Sequence, residues 1–130
     1  MLKPSVLNII LFWFVKYILF YIVQMFKSGN HALVEFSKLK TSEDLYYYLW
    51  IFLFLPIVCL LIFTVPMFYS FRINKPLYFT LAIATIVLAE YILYTWLASQ
   101  ADPTNGIYNG LLTLLVFILF FYKRIRMIYQ

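Results

Sequence analysis

The amino-acid sequence predicts an all-α integral membrane protein. Its four transmembrane helices form one domain over 1–130, with both termini cytoplasmic and a short amphipathic segment between helices one and two. Three observations predict this. Of 130 residues, 65% are hydrophobic and only 12% charged, and the mean hydropathy is +0.91, too little polar surface to coat a soluble domain. The apolar residues come in blocks near the roughly 20 residues that a helix needs to cross a bilayer. The basic residues sit mostly at the ends of those blocks.

The net charge of +5 therefore reports topology. The basic residues form no continuous patch or stripe, which argues against a nucleic-acid partner and leaves the lipid bilayer and other membrane helices as the expected surroundings. One cysteine, Cys59, lies inside a block, so neither an intramolecular disulfide nor a thiolate metal site can be built.

The first span is expected over 6–26, ending at Lys27 and the helix-stopping Ser28-Gly29-Asn30. It is longer than the roughly 7–15-residue core of a signal peptide and no A-x-A-like site follows, so it reads as a retained span. Asn8, Lys16 and Gln24 are the polar residues within it. At 100° per residue Asn8 and Gln24 fall about 80° to either side of Lys16, so all three fit on one half of the helix, which should face protein or water.

The extracytoplasmic loop, 27–44, contains Ala32, Leu33, Phe36 and Leu39 at helical spacing, the expected interfacial segment. Thr41 and Ser42 offer oxygens for a helix N-terminus, and Glu43 and Asp44 favour its dipole. Span two is expected over 45–69, with aromatic belts at Tyr46-Tyr47-Tyr48 and Phe68-Tyr69 and kinks at Pro56 and Pro66, the first bending residues 52–56. Pro76 opens span three, expected over 77–98. The polar run 99–106 reads as a turn, and span four is expected over 107–122, with Lys123, Arg124 and Arg126 snorkelling at its end.

Orientation follows from charge. Lys3, Arg72, Lys75, Lys123, Arg124 and Arg126 lie on one side against Lys27, Lys38 and Lys40 on the other, which places both termini in the cytoplasm of an inner membrane.

Glu90, inside span three, is the sharpest candidate for function, since an ionisable group within a span is expensive unless paired or functional. Lys16 lies about three residues, or roughly 4.5 Å, from it in depth, so the two can form an intramembrane ion pair. The alternative is a proton or cation pathway through Lys16 and Glu90, assisted by Tyr91, Tyr94 and Thr95. Ala82, Thr85 and Ala89 form a stripe of small residues suited to helix packing, and Thr85 is also a polar group inside the span. Nothing points to catalysis. His31 is the one histidine, in a loop without a sequence-evident nucleophile, no metal-ligand spacing is present, and no cofactor motif appears.

The function expected is that of a non-enzymatic subunit or partner in a larger membrane assembly, through other membrane proteins or self-association. A homo-oligomeric channel or proton-coupled carrier using Glu90 and Lys16 is the main alternative. A membrane-bound immunity or defence protein is a third.

Overall fold

The computed structural model describes residues 2–27, 29 and 39–130, and these form four helices with no strand among them. They are α1, Val6–Lys27; α2, Ser42–Ser70; α3, Pro76–Ala98; and α4, Thr104–Tyr129. The first three are long and apolar enough to cross a membrane. The amphipathic segment expected around Ala32–Leu39, with His31, lies almost wholly outside the described residues.

Each helix runs antiparallel to the next. Trp13 of α1 meets Phe63 of α2 while Tyr21 meets Phe52. Gly106 of α4 lies against Tyr91 and Thr95 of α3, and Gly110 against Val87. α4 also closes the ring on α1, since Leu2 N–H donates to Phe120 O at 2.8 Å and Lys27 Nζ donates to Asn105 Oδ1 at 2.9 Å. α1 and α3 thus point the same way and face each other across the centre.

α2 begins with a capping box. Asp44 N–H donates to Thr41 Oγ1 at 3.3 Å and Asp44 Oδ2 accepts from Thr41 N–H at 3.1 Å, satisfying two backbone donors. Below it, Trp50–Phe54 is a π-helical turn between the α-helical Ser42–Leu49 and Leu55–Ser70. Pro56 explains its position, because proline has no N–H for Phe52 O and its ring crowds that carbonyl. The helix widens, Leu55 N–H bonds Trp50 O, and the displaced carbonyl of Ile51 accepts from the Tyr21 hydroxyl instead. Pro66, by contrast, lies within unbroken α-helix.

α4 departs from expectation. It is 26 residues long, past the expected end at 122, and it breaks at Phe121, whose φ of −113° and ψ of 19° are not helical. No proline or glycine is nearby. The carbonyl just before the break is the one that Leu2 N–H engages, so the bend is fixed by the other end of the chain. Around it the rings of Phe12, Phe71, Phe117 and Phe121 pack together, with Phe71 and Phe121 centroids 4.9 Å apart. Beyond the bend, Ile128 is buried and the Tyr129 hydroxyl pairs with that of Thr80.

Candidate functional site

At mid-depth the centre of the bundle holds a polar cluster inside an aromatic shell. α1 presents Lys16 inward because Ile9, Phe12, Trp13, Tyr17 and Phe20 line the same face. α3 does the same for Glu90, flanked by the buried Ile83, Ile86 and Tyr94. Lys16 Nζ forms an ion pair with Glu90 Oε1, and both residues are fully buried. The pair runs across the centre and ties together the two helices that stand opposite each other.

Glu90, on α3, is satisfied from two other helices, α1 and α4. Its Oε1 also accepts from the Tyr17 hydroxyl and from Asn109 Nδ2, each at 3.1 Å. Its Oε2 accepts from Thr113 Oγ1 at 2.8 Å; that hydroxyl also lies 2.9 Å from Asn109 O, and its single proton favours the charged acceptor. Asn109 and Thr113, one turn apart on α4, are fully buried. The remaining surface of the ammonium is covered by the Tyr17 ring, 3.8 Å from its centroid, and the Trp13 ring at 5.5 Å. Two positions beside the pair remain unmatched, Asn109 Oδ1 and Trp13 Nε1, both buried without a hydrogen-bond partner.

What lets α4 come close enough is glycine. A methyl group at Gly106 would meet the Tyr91 ring at 2.8 Å and press on the Thr95 hydroxyl, whereas one at Gly110 would only touch Val87 at 3.6 Å. Gly106 therefore sets the spacing of α3 and α4, and with it the reach of Asn109 and Thr113 to the carboxylate.

Lys16 and Glu90 come together, and Tyr94, a turn beyond Glu90, is buried edge-on against Phe20 at 5.3 Å. Asn8 does not join them. It sits in the first turn of α1, where its amide donates to Lys3 O at 2.8 Å and its backbone N–H to Ser5 Oγ at 3.2 Å, so it closes the helix terminus about 12 Å in rise from Lys16. Gln24 is half-buried, two turns on from Lys16. The stripe Ala82, Thr85, Ala89 is not the seat of α4. Ala82 and Ala89 are half-buried, and Thr85 is exposed with its hydroxyl bonded to Leu81 O at 2.8 Å, so it needs no partner helix. Tyr17, Asn109, Thr113 and Gly106 are the site residues that sequence reasoning missed. The signal was the i, i+4 spacing of Asn109 and Thr113 within an apolar helix.

Chemically the cluster is a neutralised, closed unit. Among the described residues no group of three or more His, Cys, Asp and Glu can hold a metal ion. No family model matches the chain, and no curated protein and no solved structure is significantly similar to it.

Proposed function

We propose that the chain is a four-span protein of a bacterial-type inner membrane, or an organelle's equivalent, with both termini cytoplasmic, and that it serves as a non-enzymatic subunit or partner of a larger membrane assembly. α4 supports the fourth span because it lies antiparallel between α1 and α3, from Lys27 and Tyr91 near one end to Leu2 and Phe79 near the other. The charge bias of six basic residues to three supports the orientation.

The observation that carries the functional reading is the half of α2 that its own bundle covers least. From Ser42 to Phe54 no residue is buried, and from Leu55 onward six are. That half carries Tyr46, Tyr47, Leu53 and Phe54 exposed. Large aromatic side chains that its own bundle leaves uncovered suit a neighbouring protein helix, where they contribute contact area at small entropic cost.

A photo-crosslinker placed at Tyr46 or Leu53 in native membranes is expected to capture another membrane protein or a second copy, and one at Ile118 to capture neither. Absence of a protein adduct at both α2 positions contradicts the reading. The channel or carrier reading draws on the two unmatched polar atoms beside the pair, which give water a foothold. It requires flux in liposomes that Glu90→Gln abolishes, and the sealing of Lys16 and Glu90 favours no flux.

A further inference from the structure

Between α3 and α4, on the outside of the bundle, runs an apolar groove of about 670 Å³. Ile83 and Val87 form one wall, Leu114 and Ile118 the other, and Gly110 contributes to its lining. The close approach made at Gly106 leaves it at one end, beside Tyr91. At the other end the bent tail of α4 closes it with Ile125 and Tyr129, where the Tyr129 and Thr80 hydroxyls pair.

Its length selects its occupant. From Phe79 to Tyr91 is twelve residues of helix, about 18 Å, slightly more than the roughly 15 Å of one leaflet. A transmembrane helix would need a track through both leaflets, whereas an acyl chain needs one. Charge selects the head group. The closed end lies at the face that carries Lys3, Arg72, Lys75, Lys123, Arg124 and Arg126, and no described Asp or Glu side chain is there: Glu43, Asp44 and Asp102 are at the opposite face and Glu90 is central. Arg124 is engaged with Phe71 O at 2.6 Å and Asn74 Oδ1 at 3.1 Å. Arg126 is exposed, one residue from Ile125 and three from Tyr129.

We infer that this groove binds an anionic phospholipid of the leaflet at the basic face, one acyl chain lying along Ile83, Val87 and Leu114 and the phosphate held by Arg126 beside the Thr80–Tyr129 hydroxyl pair. The tail beyond Phe121 is then the wall that sets how deep the head group sits. Anionic head groups are recognised by basic side chains at the interface in this way.

The test is native mass spectrometry of the full chain released from nanodiscs of phosphatidylglycerol or of phosphatidylcholine. Wild type is expected to retain phosphatidylglycerol over phosphatidylcholine, and Arg126→Gln to lower that preference about fivefold, the effect of one basic side chain at an anionic surface. Leu114→Trp fills the groove and is expected to abolish retention of either lipid with helicity and melting unchanged; Ile118→Trp serves if that variant does not fold. Equal retention of the two lipids, or retention that a groove-filling variant leaves intact, overturns the assignment. So does a dimer that Leu114→Trp dissolves, which would give the groove to a second copy.

Discussion

Lys16 and Glu90 each carry a desolvation penalty of several kcal/mol in a setting without water, and each removes most of the other's. Taking away one partner leaves a buried ion, so Lys16→Met and Glu90→Gln are each expected to lower unfolding free energy by about 3–5 kcal/mol, read by denaturant titration in detergent. The double variant should recover most of that loss, since both ions are then gone. Independent, additive losses would show that the pair does not act as a unit. The partnership was legible in the sequence because charges inside apolar blocks are rare and their depths can be compared by counting residues. Tyr17, Asn109 and Thr113 were not, because neutral polar residues are common in membrane helices and only the fold shows which of them turn to the same carboxylate.

Helix α4 is held by a glycine at one end and by a distant backbone at the other. Gly106→Ala is expected to force α3 and α4 apart and cost about 1–3 kcal/mol, with Gly110→Ala within about 0.5 kcal/mol of wild type, both from thermal unfolding in detergent. Equal effects would mean that the close approach at Tyr91 is not what sets the spacing. At the start of α2, hydrogen bonds from the Thr41 side chain and backbone hold the Asp44 carboxyl below its ordinary value. A lowered folded pKa stabilises the cap above the unfolded value and loses that contribution as pH falls through the folded one. Amide exchange at Leu45 and Tyr46 should therefore show more fraying below pH 3.8 than the intrinsic rate change explains, and Asp44→Asn should remove the dependence. The capping residues and the Pro56 distortion are local, so the sequence showed both. The bend at Phe121 depends on Leu2, more than a hundred residues away, and no local pattern encodes it.

The four helices make a bundle whose buried ion pair is satisfied within one chain, and this moves the basis of the functional reading to the surface. α4 supplies partners to the buried carboxylate through Asn109 and Thr113, and the surface that the bundle covers least is the aromatic half of α2. The bundle was readable from block lengths and basic residues, whereas the identity of its uncovered face was not, since every lipid-facing surface is apolar in sequence. Extraction into mild detergent followed by native mass measurement addresses the proposed association. A subunit or partner should appear as a species heavier than the 15.6 kDa chain, containing other membrane proteins or further copies, and substitution of Tyr46 and Leu53 with alanine should reduce it to the single chain. Wild-type protein that always emerges alone, as a 15.6 kDa monomer, would contradict it.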